Sequence, residues 1–154
     1  MKFFFHQKRF SWEEPLTIYD EHGNTLYTAR GEALAHEKRL RLYDREGRDV
    51  AAGVKKAGTL GLQCELFVHG RREGGVTRKW SPFSRAGFAL NGLNWTVHGD
   101  LTQHDYEISE SGREVALVRP ERLSWGGYFS VHADEENALR ALLVALVIDC
   151  IAAA

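Results

Sequence analysis

The sequence predicts a mainly β chain, a closed antiparallel β-barrel wrapped around a single C-terminal α-helix. Three observations carry that expectation. Before residue 134, apolar and polar residues alternate with period two over many short runs, the mark of antiparallel strands with one buried and one wet face. Turn signals recur between those runs. Residues 134–153 then switch to a stretch that is apolar almost all the way round, with no polar residue from Ala141 through Ile148. A surface helix keeps a polar face, so a helix without one must be enclosed. Ten to twelve amphipathic strands are too many for an open sheet with unprotected edges. Closure removes those edges and gives the helix an interior to fill.

The first turn unit is Thr17-Ile18-Tyr19-Asp20-Glu21-His22-Gly23, and Leu42-Tyr43-Asp44-Arg45-Glu46-Gly47 repeats it. In both, Asp can bond the turn backbone and Gly supplies the positive φ of a tight turn. Leu40 and Leu42 alternate with Arg39 and Arg41. If the Asp44–Asp49 turn closes a hairpin with apolar residues kept together, Leu40 pairs with Val54 and Leu42 with Ala52. Arg39 then stands opposite Lys55, with Arg41 beside them. Leu62, Cys64, Leu66 and Val68 alternate with Gln63, Glu65, Phe67 and His69, and His69-Gly70-Arg71 turns the chain. Asn91-Gly92, between Phe88-Ala89-Leu90 and the alternating Leu93, Trp95 and Val97, is the strongest short hairpin signal. Tyr106-Glu107-Ile108-Ser109-Glu110-Ser111-Gly112 is the third turn unit. Asp134 is the expected N-cap of the helix, with Glu135 and Glu136 complementing the positive end of its dipole.

With no linker-like stretch, 154 residues form one domain, residues 1–154. The net charge of −1 gives no global attraction to nucleic acid, which is not an expected partner. Charge is unevenly spread along the chain. Residues 1–90 carry 16 Lys and Arg against 11 Asp and Glu, and residues 91–154 carry 4 against 10. Cys64 and Cys150 fit no metal or redox spacing and read as small core residues in a reducing compartment. The N-terminus has three consecutive apolar residues, Phe3-Phe4-Phe5, whereas a signal peptide needs about 7–15. The clean apolar stretch between Arg140 and Asp149 is too short for a transmembrane span, which takes about 20 residues. A cytoplasmic location follows as the expectation.

Several segments together resemble a known family. They are Gly92-Leu93-Asn94-Trp95 through Gly99-Asp100, His104-Asp105-Tyr106-Glu107-Ile108, Ser124-Trp125-Gly126 and Leu146-Val147-Ile148-Asp149. At the start, Phe10-Ser11-Trp12 is followed by Ile18-Tyr19-Asp20-Glu21-His22-Gly23-Asn24. The chain resembles bacterial LURP-one-related proteins of the tubby C-terminal-like superfamily, which also takes in the phospholipid scramblases. That resemblance implies a closed antiparallel twelve-stranded tubby-like β-barrel around a central hydrophobic helix. It implies no settled activity, because fold does not carry function with it. Tubby proteins bind phosphoinositides through basic residues on outward strands, and scramblases act at membranes.

Arg39, Arg41 and Lys55 form the first candidate ligand-binding face. Like charges placed opposite one another repel, and a phosphate or carboxylate between them relieves the repulsion through bidentate Arg bonds. The plain alternative is a solvated face screened by Glu37. Arg71, Arg72, Arg78 and Lys79, next to Trp80, form a secondary basic patch. His98, Asp100 and His104 have metal-ligand types but no metal-site spacing. They read as polar residues near a turn, and no metal is expected. Asp134, Glu135 and Glu136 lack the spaced oxygen ligands and Gly of a calcium loop, so capping accounts for them.

No G-x-S-x-G, Gly-rich phosphate loop or activated cysteine setting is present. The expectation is a non-enzymatic binding module without cofactor, peripheral at the inner membrane surface. It would recognise anionic phospholipid headgroups or other phosphorylated ligands. The alternative is a protein–protein interaction scaffold that uses aromatics such as Trp12 and Tyr19 to hold a protein partner.

Overall fold

A computed structural model of the chain describes residues 1–6, 14–56, 63–81, 84–101, 103–123 and 126–152. Within them, twelve strands precede one helix. The strands are β1 (Lys2–His6), β2 (Leu16–Tyr19), β3 (Thr25–Ala33), β4 (Glu37–Tyr43), β5 (Asp49–Lys56) and β6 (Gln63–Val68), then β7 (Arg71–Ser81), β8 (Ser84–Asn91), β9 (Trp95–Asp100), β10 (Asp105–Glu110), β11 (Arg113–Leu123) and β12 (Gly126–Ala133). The helix α1 runs Ala138–Ala152. All strands belong to one antiparallel sheet, ordered β8-β7-β6-β5-β4-β3-β2-β1-β12-β11-β10-β9. Two meanders, β1–β8 and β9–β12, therefore make the wall. The β1–β12 pairing joins them, with Phe3 opposite Val131 and Phe5 opposite Phe129.

The Asp turns form as the repeated pattern predicts. Asp20 Oδ1 accepts from the His22 and Asn24 amides at 2.8 and 2.9 Å. Asp44 Oδ1 accepts from the Glu46 and Arg48 amides at 3.0 and 2.9 Å. Gly23 and Gly47 sit at φ 80° and 78°. The β6–β7 and β10–β11 hairpins turn on His69-Gly70 and Ser111-Gly112, with positive φ at all four residues, the signature of a primed hairpin turn.

Asn91-Gly92 departs from expectation and makes no hairpin. The β8 strand pairs with β7 as far as Asn91, opposite Gly75, and the Asn91 amide donates to Thr77 Oγ1 at 3.0 Å. Gly92 has φ 81° but packs against the Gly74 backbone. The chain then crosses to β9, which pairs with β10. The barrel is thus nearly closed, with a seam where β8 and β9 end the hydrogen-bonded order.

The β4–β5 register also corrects the sequence reading. Leu40 faces Gly53, Leu42 faces Ala51 and Arg39 faces Val54, so neither Leu40–Val54 nor Arg39–Lys55 is a pair. A bulge after Leu42 pairs Tyr43 with Asp49 and leaves Val50 over. One extra residue moves every later side chain to the other face. The physical gain is room inside the barrel, because Gly53 faces the helix where Val54 would crowd it.

The helix supplies the core. Ala141 through Ile148 are all buried among inward residues that include Phe3, Phe5, Ile18, Leu40, Leu42, Leu66 and Ile108. Regular helix starts at Ala138, later than residue 134, and Asp134 caps the turn before it by accepting from the Asn137 amide at 3.0 Å. The helix packs against β5, β6, β7, β11 and β12. Cys64 and Cys150 are both free and buried. Burial pushes the Cys64 thiol up to about 12 and Cys150 well above its ordinary value. A disulfide-exchange reagent at mildly alkaline pH is therefore expected to label neither thiol in the native chain and both after denaturation. Rapid native labelling would show that the helix leaves the barrel on that timescale.

Candidate functional site

On the outer face, β5 is a strand of small side chains between two strands of long ones. Ala52 and Val54 form the floor of a trough, Arg39 and Arg41 of β4 rise on one side, and Phe67 of β6 rises on the other. With Asp49 and Gly70 at one end, the trough encloses about 440 Å³ and is open to solvent.

The two guanidiniums are not idle in the free protein. Arg39 Nε donates to Glu37 Oε1 at 2.9 Å, and its Nη2 also contacts that oxygen. Arg41 Nη1 donates to Asp49 Oδ2 at 2.6 Å, and its Nε lies 3.6 Å from Glu32 Oε2. The Asp49 hydrogen bond raises the Arg41 pKa above its ordinary value. Arg41 Nε is buried and makes no hydrogen bond, its contact being the longer one to Glu32 on the β3 side, away from the trough. Arg30 of β3 stands directly across from Arg41. Like charges in register repel, and Glu32 and Asp49 offset that repulsion.

Lys55 does not join this face. It pairs with Lys38 and shares the inward parity of Ala51 and Gly53. The secondary basic patch is likewise not one patch. Arg72 faces outward opposite Phe67, 3.7 Å from Glu65. Arg78 lies six residues further along β7, roughly 20 Å, with the parity of buried Val76, and its Nε has no hydrogen-bond partner. The side chains of Lys79 and Trp80 lie outside the described residues, as does Trp12. Tyr19 is half-buried on the outer face, edge-on to His6 at 6.3 Å, and His6 in turn stacks near Tyr128 at 4.4 Å.

His98, Asp100 and His104 diverge. His98 is exposed opposite Glu107, and Asp100 Oδ1 accepts from the Gln103 amide at 3.1 Å. His104 turns inward at φ 54°, and its Nε2 meets Asp149 Oδ1 of the helix. The pair is 6% and 5% exposed. Phe129 stacks on the imidazole at 3.8 Å between centroids. Tyr106 completes the cluster. Its hydroxyl is buried without a hydrogen-bond partner, and burial followed by the Asp149 charge pushes its pKa well above the usual phenol value.

At the opposite end, by the helix N-terminus, Glu73, Glu110, Glu114, Asp134 and Glu136 line a polar cleft of about 650 Å³ together with Arg113 and Arg140. Arg140 lies 3.5 Å from Glu73. The excess of carboxylates disfavours anions there.

The profile of the LURP-one-related family matches residues 1–150. The chain belongs to that family. A Bacillus subtilis (strain 168) relative, "Uncharacterized protein YxjI", is 27% identical over 152 residues, covering 98% of this chain and 93% of the relative. The X-ray structure of a protein from Arabidopsis thaliana superposes with a TM-score of 0.63 at 16% identity, covering 98% of this chain and 91% of that one. That likeness is one of fold. No helix among the described residues of this LURP-one-related barrel is long and apolar enough to cross a membrane.

Sequence reasoning placed Arg39 and Arg41 correctly on the outer face but missed Ala52, Val54 and Phe67, which shape the trough. Their signal was present, since β5 carries a run of small residues, Ala51-Ala52-Gly53, while β4 and β6 carry long ones. It also missed the pairing of His104 with Asp149. Asp149 is the one carboxylate inside the apolar run, and a buried carboxylate needs a partner, but spacing alone does not name one 45 residues away.

Proposed function

We propose that this LURP-one-related protein is a non-enzymatic module that binds an anionic phospholipid headgroup, or a related phosphorylated ligand, in the Arg39–Arg41 trough. The observation that carries the reading is the pair of guanidiniums, Arg39 and Arg41, lining one side of a trough with an apolar floor. Phosphate would exchange for Glu37 and Asp49 at the guanidiniums. The Arg41–Asp49 bond is exposed and the Arg39–Glu37 bond part-buried; surface ion pairs contribute about 0–1 kcal/mol, and bidentate phosphate bonds replace them at both guanidiniums. Cytoplasmic residence, peripheral at the inner membrane surface, completes the reading. The His104–Asp149 pair resembles an acid–base dyad by composition, but Phe129 and the barrel wall enclose it, which favours a structural role over turnover.

Co-sedimentation with liposomes tests this. Capture by anionic but not neutral vesicles, strong at low salt and weaker at physiological salt, is expected. Arg39→Glu with Arg41→Glu is expected to lower that capture by at least about tenfold. Equal capture of wild type and double variant would remove the trough from consideration. A protein scaffold is the second reading, favoured by half-buried Tyr19 beside exposed His6 on the outer face of β2 and β1. It would give a specific protein partner in pull-downs and no vesicle capture.

A further inference from the structure

The β3–β4 hairpin tip differs from the described hairpin turns at the other end of the barrel. Those are built from Asp20-Glu21-His22-Gly23, Asp44-Arg45-Glu46-Gly47, His69-Gly70 and Ser111-Gly112, the polar and Gly-containing composition that solvated turns favour. The β3–β4 tip is Leu34-Ala35-His36, without Gly or Asp, closed by a hydrogen bond from the Leu34 amide to the Glu37 carbonyl at 2.8 Å. All three residues are exposed. Leu34 and Met1 are the large hydrophobic residues that the described surface leaves exposed, at 50% and 47%. A single exposed Leu means little by itself. Its surroundings give this one meaning.

The hairpin that carries Leu34 also carries Arg30, Lys38, Arg39 and Arg41 against Glu32 and Glu37. The β3–β4 hairpin therefore carries an excess of cations, whereas the far mouth holds the carboxylate-rich cleft at the helix N-terminus. Depth also matches. Arg39 pairs with Glu32, and Leu34 lies two residues beyond Glu32, or about 7 Å along a strand. The polar headgroup layer of one leaflet is roughly 5–7 Å thick. With a phosphate at Arg39, Leu34 reaches the hydrocarbon boundary.

We infer that the protein meets an anionic bilayer with the β3–β4 tip first, Leu34 entering the upper acyl region while Arg39 holds a phosphate above it. This inference rests on the headgroup reading and adds an orientation and an apolar anchor to it.

The test uses the intact chain and vesicles of phosphatidylglycerol with phosphatidylcholine. Leu34→Cys and, at the opposite end, Ser111→Cys each carry an environment-sensitive fluorophore, the buried native thiols staying unlabelled. The label at position 34 should shift to the blue on anionic vesicles and be quenched by brominated acyl chains, while the label at 111 should do neither. Leu34→Glu, at an exposed position, should weaken capture about tenfold, the scale of one apolar side chain returned to water. Capture of wild type with no shift at 34 and no loss in Leu34→Glu would overturn the insertion and leave the headgroup reading standing. A shift at 111 would overturn the orientation. If wild type fails to bind anionic vesicles at low salt, both fall together.

Discussion

Asp149→Ala is expected to destabilise the chain by about 1–3 kcal/mol, the cost of leaving a buried polar group without its partner. The reason is the helix itself. Residues 141–148 offer no polar face to fix rotation or depth inside the barrel. Its polar contacts lie at its ends, Arg140 with Glu73 at the entrance and Asp149 with His104 at the exit. Alanine at 149 leaves His104 buried under Phe129 without its carboxylate and removes one of the two polar locators. Asp149→Asn keeps a hydrogen-bonding partner and should cost clearly less. The double replacement His104→Leu with Asp149→Leu should recover part of the loss, because apolar groups of matching volume often substitute for a buried pair. Urea unfolding at constant slope gives the three values. A loss below about 1 kcal/mol for Asp149→Ala would show that the contact with His104 does not hold the helix in place.

Gly53→Ala is the second large effect. A Cβ at position 53 would stand 2.7 Å from Val147 Cγ2 and 3.4 Å from Cys64 Sγ. The obstacle is a branched methyl on a packed helix, not the free end of a long side chain, so strand and helix must separate. Overpacking of this kind costs about 1–3 kcal/mol. Val147→Ala removes the obstructing methyl, so adding it to Gly53→Ala should be less harmful than the two separate losses imply, by about 1 kcal/mol of coupling. Strict additivity in the urea midpoints would mean that Gly53 and Val147 do not meet.

The barrel and its central helix were legible because each has a period. Alternation at two residues marks a sheet with one wet face, and the run from Ala141 through Ile148 has no face to turn outward. Register was not legible, because it depends on one unpaired residue, Val50, whose placement serves the helix rather than the hairpin. The same cause hid half of the trough. Arg39 and Arg41 lie outward in either register, but only the bulged one sets Ala52 and Val54 beside them and sends Lys55 to the inner side. Asn91-Gly92 misled for a different reason. The dipeptide satisfies a turn locally, but the flanking strands take their partners from β7 and β10, and those choices are made by tertiary contacts. His104 and Asp149 illustrate the remaining limit, since a buried charge announces that it needs a partner without saying which.

The order of elements along the chain has a consequence for biosynthesis. All twelve strands leave the ribosome before the segment that fills them, and β1 waits for β12, its neighbour in the wall, across more than a hundred residues. At about 5–20 residues per second, the growing chain spends several seconds as a half-built wall with Phe3, Phe5, Ile18, Leu40 and Leu66 facing nothing. Its closing contacts are also its most distant in sequence, the kind that form slowly. Until the final turn of α1 emerges, the nascent chain lacks the element that completes its core, and its inward face is the surface a chaperone would meet.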